Sequence, residues 1–133
     1  MRLTRQRKAI LQHLQRRFDH PTAEMIHEGI RFDMEDVSLA TVYRSLGLLN
    51  SAGLIQELPD QGRGKRYDGN PLPHHHFFCE QCGSVEDLFA GLPGTLRESL
   101  SRIAHGEVRQ IQVLLKGICD ECKTREEERG SEQ

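Results

Sequence analysis

Four cysteines constrain the C-terminal half of this chain more than any other feature. They form two Cys-x-x-Cys pairs, Cys79 with Cys82 and Cys119 with Cys122. Together the pairs supply the tetrahedral sulfur shell that zinc prefers, and a closed shell leaves no position for a substrate. We therefore predict a structural zinc site, with a redox dithiol switch as the alternative. The 36 residues between the pairs exceed the spacing of a compact zinc ribbon, so they must form a small domain.

A run of three histidines lies just before the first cysteine pair. In an extended segment successive side chains alternate, so His74 and His76 face one side and His75 the other. Asp87, on the adjoining predicted strand, could complete a site with the first two. Imidazole and carboxylate ligands suit zinc, iron(II) or manganese(II). The alternative is that the run is only a polar surface.

Positive charge is concentrated at the N-terminus. Residues 1–68 carry 11 Lys and Arg against 9 Asp and Glu, residues 69–133 carry 7 against 11, and the first 17 residues contain no acid. This asymmetry indicates nucleic-acid contact at one end of the protein, or a solvated helix face.

Neither an apolar run long enough for a membrane span nor the apolar core of a signal peptide is present. We therefore expect a cytoplasmic protein, in which thiolate ligands are favoured over disulfides.

The first half of the chain shows three helical patterns followed by two short strands. A helix over about 4–17 is capped by Thr4, a second begins at Pro21 and ends near Phe32, and a third is capped by Ser38 and stopped by Gly53. The first helix has an apolar stripe at Ile10, Leu11, Leu14 and Phe18. Residues 54–58 and 65–67 read as strands joined by a turn-rich loop.

Three helices and a hairpin make a winged helix-turn-helix, in which the third helix enters the DNA major groove. The exposed face of this helix is predicted to carry Thr41, Arg44, Ser45 and Leu48, with Tyr43 at its margin. A protein-interaction domain is the alternative.

The second half is predicted to be a small α/β domain, so the fold class is α+β. We predict a strand over 84–89, a helix over 93–104 and a strand over 108–115. The acidic tail from about residue 124 is predicted to be disordered.

From Leu3 to Cys122 the sequence resembles the ferric uptake regulator family of metal-responsive repressors. The matching motifs are Leu3-Thr4-x-x-Arg7, His20-Pro21-Thr22-Ala23-Glu24, Ala40-Thr41-Val42-Tyr43-Arg44-x-Leu46, Ala52-Gly53-Leu54, His74-His75-His76 and Cys79-x-x-Cys82-Gly83. The resemblance implies a winged-helix DNA-binding domain over 1–67, a hinge over 68–73, and a domain over 74–133 that forms a homodimer.

The resemblance also implies functional residues. Regulatory metal ligands fall on His20, Asp68, His74, His76 and Asp87, and DNA contacts fall on Arg2, Arg7, Tyr43, Arg44 and, on the wing, Lys65 and Arg66. Aspartate at positions 68 and 87 is similar to the peroxide-responsive branch, in which bound iron(II) reacts with hydrogen peroxide and a ligand histidine is oxidised. On that analogy His20 and His74 are the oxidation targets.

The expected function is a metal-dependent repressor, not an enzyme, whose regulatory Fe²⁺ or Mn²⁺ closes a homodimer onto a palindromic operator. Zn²⁺ is a possible regulatory ion as well as the structural one. The alternatives are an uptake regulator of the same family that does not sense peroxide, and a metal-dependent hydrolase.

Overall fold

The first half of the chain is mainly helical, and each half contains one small β-sheet. The computed structural model describes residues 2–131, and it divides between Leu72 and Pro73 into two compact units. The predicted α+β class is confirmed by this mixture of helices and two small sheets. Within residues 2–131 no helix is long and apolar enough to cross a membrane.

The N-terminal unit is a winged helix. Its elements are α1 (Arg5–Gln15), α2 (Ala23–Ile30), α3 (Leu39–Ser51), β1 (Gln56–Leu58) and β2 (Arg66–Asp68). A hydroxyl caps each helix by accepting a backbone N–H three residues on: Thr4 from Arg7, Thr22 from Met25, and Ser38 from Thr41. These caps satisfy amides that the helices cannot satisfy internally, and so they fix where each helix begins.

The apolar stripes of the three helices meet in one core. Its fully buried members include Ile10, Leu14, Ile26, Leu46 and Leu49. Two predictions were wrong. Phe18 is 82% exposed because α1 ends at Gln15, before the stripe reaches it. Ser45, predicted on the exposed face of α3, is only 5% exposed.

The wing is an antiparallel hairpin. Strands β1 and β2 pair with Gln56 opposite Asp68, and Asp60 Oδ1 tightens the loop by accepting the amides of Gly62 and Gly64 at 2.8 and 2.9 Å. Both glycines have positive φ, which a side chain would disfavour. The hairpin places Asp68 at the end of β2.

The C-terminal unit is built on a three-stranded sheet. Its elements are β3 (His75–Cys79), β4 (Val85–Leu88), α4 (Gly94–Ala104), β5 (Leu114–Gly117) and α5 (Asp120–Ser131). The strand order is β4-β3-β5, with β3 antiparallel to β4 and parallel to β5.

Two sequence predictions for this unit need correction. The last strand covers 114–117 rather than 108–115, because β5 pairs along β3 only from His76 to Cys79. Residues 124–131 of the tail that was predicted to be disordered continue α5 to Ser131, and residues 132–133 lie outside the described residues. Acidic residues in its first turn favour this helix through the helix dipole, and Arg125 bonds Glu121 one turn earlier at 3.0 Å.

Candidate metal centres and DNA-binding face

The four cysteines of the C-terminal unit lie together. Cys79 Sγ is 3.8 Å from Cys122 Sγ, Cys82 Sγ is 3.9 Å from Cys119 Sγ, and all four sulfurs lie within 4.8 Å of one another. A tetrahedral zinc with Zn–S bonds of about 2.3 Å requires S···S distances of about 3.8 Å. The donor set and its spacing therefore fit a structural zinc ion.

Strand pairing brings the two cysteine pairs together. Cys79 ends β3 and lies opposite Gly117 of β5, two residues before Cys119. The first pair forms a tight turn in which the Gly83 amide donates to the Cys79 carbonyl at 2.9 Å. Gly83 has φ of 76°, a conformation that glycine adopts without strain. This is the physical reason for a glycine directly after the pair.

Hydrogen bonds and burial act on these thiols in opposite directions. The amides of Cys82 and Cys119 lower the pKa of Cys79 to about 6. Burial raises the pKa of Cys122 to about 12, and a hydrogen bond with the Ser84 hydroxyl lowers the pKa of Cys82. The lowered pKa favours the thiolate form of Cys79, whereas Cys122 must lose a proton when it binds a metal.

A second group of donors in the same unit consists of nitrogen and oxygen atoms. Asp87 Oδ1 lies 2.6 Å from His74 Nε2 and 3.3 Å from His76 Nε2. The antiparallel register places His76 directly opposite Asp87, and both histidines are buried. Two imidazoles converging on one carboxylate can hold a borderline or hard divalent cation.

The rings of this group are held from several sides. The His74 and His76 ring centroids are 4.3 Å apart, and Phe89 stacks on His74 at 5.0 Å. His75 points elsewhere, since its Nδ1 accepts the Val113 amide at 3.0 Å. The alternation along β3 therefore separates His75 from its two neighbours.

The N-terminal unit carries the other two predicted regulatory ligands. His20 Nε2 lies 3.3 Å from Asp68 Oδ2, and both side chains are buried. Asp68 Oδ1 accepts the Asn70 amide at 2.9 Å, which orients the carboxylate. The five predicted regulatory ligands thus form a pair in one unit and a triad in the other, and each set is already arranged within its own unit.

Apart from Lys65 and Arg66 on the wing, the predicted DNA-contacting side chains lie at or near the N-terminal ends of α1 and α3. A cleft of about 350 Å³ between these helices is lined in part by Arg5, Arg7, Thr41 and Arg44. Arg7 Nη1 donates to the Arg2 carbonyl at 2.9 Å. Thr41 Oγ1 bonds the Ser38 hydroxyl at 2.9 Å as part of the α3 cap. The three arginines of this lining outnumber its one carboxylate, Asp36, so the cleft presents a net positive surface at the start of α3.

Sequence reasoning missed two contacts of this unit. Glu24 accepts a hydrogen bond from the Tyr43 hydroxyl, and Arg66 donates to the backbone carbonyls of Asp19 and His20. Lys65 and Arg66 were both predicted to contact DNA from the wing. In the structure Lys65 pairs with Glu57 at 2.7 Å, while Arg66 turns toward the His20 loop. Contacts across 19 and 46 residues leave no periodic signal in a sequence.

Comparisons with known proteins agree with this architecture. Residues 1–112 match the sequence profile of the Ferric uptake regulator family. The peroxide-responsive repressor PerR of Staphylococcus aureus is 31% identical over 123 residues, covering 92% of this chain and 83% of that protein.

Solved structures show the same fold. A peroxide stress regulator from Campylobacter jejuni superposes with a TM-score of 0.74 at 29% identity, over 88% of each chain. A zinc-bound manganese uptake regulator superposes with a TM-score of 0.66 at 27% identity, over 90% of this chain and 91% of that one.

Proposed function

We propose that this chain, which belongs to the ferric uptake regulator family, is a metal-dependent DNA-binding repressor that acts in the cytoplasm as a homodimer. The observation that carries the proposal is the presence of two chemically distinct donor sets. Four thiols are clustered in the C-terminal unit, and imidazole and carboxylate groups are arranged separately from them. Thiolates favour a permanently bound zinc, whereas histidine and aspartate suit an exchangeable Fe²⁺ or Mn²⁺.

The proposed structural site consists of Cys79, Cys82, Cys119 and Cys122. With all four positions filled by protein sulfur, it has no open coordination for chemistry. Its contribution is to stability, since it ties the turn after β3 to the start of α5. The C-terminal unit contains few buried apolar residues of its own, Phe78 and Val85 among them. We therefore propose that this unit depends on zinc to remain folded.

The proposed regulatory ligands are His20 and Asp68 from the N-terminal unit with His74, His76 and Asp87 from the C-terminal unit. Ligands that share one ion must take up a fixed arrangement, so binding couples the DNA-binding unit to the rest of the chain through the hinge at 68–73. In a two-fold dimer this coupling sets the separation of the two recognition helices. That separation must match two half-sites of a palindromic operator about one helical turn apart.

On the DNA, side chains near the starts of α1 and α3 make the proposed contacts. Arg2 and Arg7 would neutralise phosphates, and Arg44 can read guanine or phosphate. Thr41 and Tyr43 offer apolar atoms to a thymine methyl group. Tyr43 is 44% exposed, which leaves its ring available for this contact.

We further propose that the repressor senses hydrogen peroxide. Hydrogen peroxide would oxidise the imidazole of His20 or His74 by two electrons, so that one peroxide oxygen is added to the ring and the other leaves as water. Iron(II) held by the five ligands would supply the redox chemistry that cleaves the O–O bond. An oxidised imidazole is a poorer ligand, so repression ends. Support comes from the aspartates at 68 and 87 and from the similarity to peroxide-responsive relatives.

The proposal of metal-dependent DNA binding is tested by measuring operator affinity with and without added Mn²⁺. Wild-type protein should bind operator DNA tightly only when Mn²⁺ is present. His76→Ala should bind the operator weakly with or without Mn²⁺, because the triad loses a buried donor. His105→Asn is the matched control, since His105 is exposed and follows α4 in the left-handed conformation that asparagine also adopts. Metal-dependent binding that is equal in His76→Ala and wild type would contradict the proposal.

Mass spectrometry tests peroxide sensing. Iron-loaded protein treated with hydrogen peroxide should gain one oxygen atom on the peptides that contain His20 or His74, whereas manganese-loaded protein should not. An unmodified iron-loaded protein would favour the alternative, an uptake regulator for iron, manganese or zinc. The similarity to a manganese uptake regulator supports that alternative.

A further inference from the structure

We propose that Arg66 is a positioning residue for the metal ligand His20, acting by fixing the loop that carries this histidine. The inference rests on the regulatory site proposed above. It also gives Arg66 a role different from the DNA contact expected of a basic wing residue. The contacts that carry it all lie within the N-terminal unit.

The guanidinium of Arg66 binds two successive carbonyls. Its Nε donates to the His20 carbonyl at 2.5 Å, and its Nη2 donates to the Asp19 carbonyl at 3.1 Å. A guanidinium is planar and its donors have fixed directions, so two such bonds fix the orientation of the backbone between Asp19 and His20. A flexible ammonium group could not do this with the same geometry.

The main chain of the next residue supplies another anchor. The Tyr67 amide donates to the Pro21 carbonyl at 3.0 Å. The side chain of Arg66 and the backbone of Tyr67 therefore hold the chain on either side of the His20 side chain. Before the loop, Arg17 binds the Asp19 carboxylate through two nitrogens, at 3.0 and 2.6 Å.

These anchors explain the backbone conformation of the histidine. His20 has φ of 52°, in the left-handed region that residues with a side chain adopt rarely. Such a conformation persists where surrounding contacts determine it, and it is frequent at functional sites. Here it directs the imidazole so that Nε2 lies 3.3 Å from Asp68 Oδ2.

One short strand therefore serves both members of the ligand pair. Arg66 and Asp68 are two residues apart on β2, so they project from the same face. Asp68 provides a carboxylate, and Arg66 fixes the backbone of the histidine that faces it. Movement of the wing strand would disturb both ligands together.

The neighbouring residue offers a matched comparison. Lys65 is exposed and pairs with Glu57 on the opposite strand of the wing. Replacing Lys65 or Arg66 by methionine removes one positive charge from the same hairpin and leaves an aliphatic side chain of similar length. Only the change at Arg66 removes the bonds to the two carbonyls.

The experiment uses the full chain with its cysteine site loaded with zinc, and Mn²⁺ as the probe of the regulatory site. Electron paramagnetic resonance of unbound Mn²⁺ gives the dissociation constant. Hydrogen exchange of the segment 17–22 in Mn²⁺-free protein reports on the loop alone. The variants are Arg66→Met, Arg66→Lys and Lys65→Met.

We expect Arg66→Met to weaken Mn²⁺ binding by about 10- to 100-fold, the usual effect of losing a group that orients a ligand. Exchange in the segment 17–22 should also accelerate. Arg66→Lys should give an intermediate affinity, because its ammonium can still bond the carbonyls but lacks the fixed donor directions of the planar guanidinium. Lys65→Met should behave as wild type in both measurements.

Three outcomes would overturn the inference. They are Mn²⁺ affinity of the Arg66 variants within about twofold of wild type, an equal loss in Lys65→Met, and unchanged exchange in the segment 17–22. If Arg66→Met does not fold, the comparison of Arg66→Lys with wild type decides. A wild-type protein that binds no Mn²⁺ at the histidine and aspartate ligands would instead contradict the proposed function, and the exchange data would then decide whether Arg66 fixes the loop.

Discussion

Tyr43 on α3 donates a hydrogen bond from its hydroxyl to Glu24 Oε1 on α2, over 2.5 Å. This bond lowers the pKa of Glu24 and raises the pKa of Tyr43. In the proposed DNA complex a carboxylate close to the phosphates would be unfavourable, so we infer that the role of Glu24 is to position Tyr43. Glu24 fixes the hydroxyl and so restricts the orientation of the Tyr43 ring, which we propose contacts DNA.

The first prediction concerns this pair. Glu24→Ala should reduce the ratio of specific to non-specific DNA affinity by roughly fivefold, because the loss of a hydrogen bond worth about 1 kcal/mol leaves the Tyr43 ring less restricted. Glu24→Gln, which keeps an acceptor, should lose less. Fluorescence anisotropy with an operator selected from random DNA, and with a scrambled duplex, measures both affinities. A ratio unchanged in Glu24→Ala would show that Glu24 does not orient the ring.

The second prediction concerns zinc. Cys122→Ser should abolish zinc retention and unfold the C-terminal unit, because the remaining three thiols cannot complete the tetrahedral shell. Strong chelators should do the same to wild-type protein, and re-addition of zinc should reverse it. Atomic absorption gives the zinc content, and near-ultraviolet circular dichroism together with hydrogen exchange reports the fold. A zinc-free protein that keeps its protected sheet would contradict a structural role.

The third prediction is a pH dependence of zinc affinity. The pKa of Cys79 is about 6, so at about pH 7 this thiol is already mainly thiolate. The pKa of Cys122 is about 12, so Cys122 binds zinc only with release of a proton. Lowering the pH should therefore weaken zinc binding throughout, and more steeply below about pH 6, where Cys79 also takes up a proton.

Competition with a chromophoric chelator over a pH series checks this dependence. Calorimetry in buffers of different ionisation enthalpy counts the released protons. An affinity that does not change between about pH 8 and pH 5 would be inconsistent with thiol ligands.

The fourth prediction uses two glycines of the N-terminal unit. A Cβ on Gly69 would lie 2.9 Å from both the Gln15 Cα and the Leu14 carbonyl oxygen, which are backbone atoms that cannot move aside. Gly69→Ala should therefore destabilise this unit by about 1–3 kcal/mol. Gly47 lies within α3, and beyond the helix's own backbone a Cβ added there would meet no atom of residues 2–131 within 4 Å. Gly47→Ala should stabilise the helix by about 0.5–1 kcal/mol.

Urea unfolding followed by far-ultraviolet circular dichroism measures both changes. The two substitutions add the same methyl group, so opposite signs are expected only if packing and helix propensity act as described. A Gly69→Ala protein that is not destabilised would contradict the tight approach at Gly69, and a destabilised Gly47→Ala protein would contradict the gain expected from helix propensity.

Local features of the sequence predicted most of the N-terminal unit. Thr4 and Ser38 act as caps, and Val42, Leu46 and Leu49 form the buried stripe of α3. The prediction that Phe18 belongs to the apolar stripe of α1 was wrong, because periodicity alone does not show where a helix ends. The predicted start of β5 was wrong because the extent of this strand is set by its parallel pairing with β3. That pairing is not visible in the sequence.

The candidate sites divide in the same way. Cysteine spacing predicted the cluster of sulfurs, because the chemistry of the residues and their short spacing both point to one ion. The contacts of Glu24 and Arg66 could not be predicted, since they join residues that are far apart in the sequence. Ligand type is therefore readable from the sequence, whereas the groups that orient a ligand require the fold.

The parallel pairing of β3 with β5 has a kinetic consequence. Cys79 and Gly117 are neighbours in the sheet although 38 residues separate them in the chain, and the connection contains β4 and α4. Contacts between distant residues form slowly, because chain entropy is lost before they stabilise the fold. A zinc ion bound by cysteines at the ends of β3 and β5 should bring the two strands together and so speed the formation of this pairing. The refolding rate of the C-terminal unit should therefore rise with zinc concentration until binding is no longer the slow step.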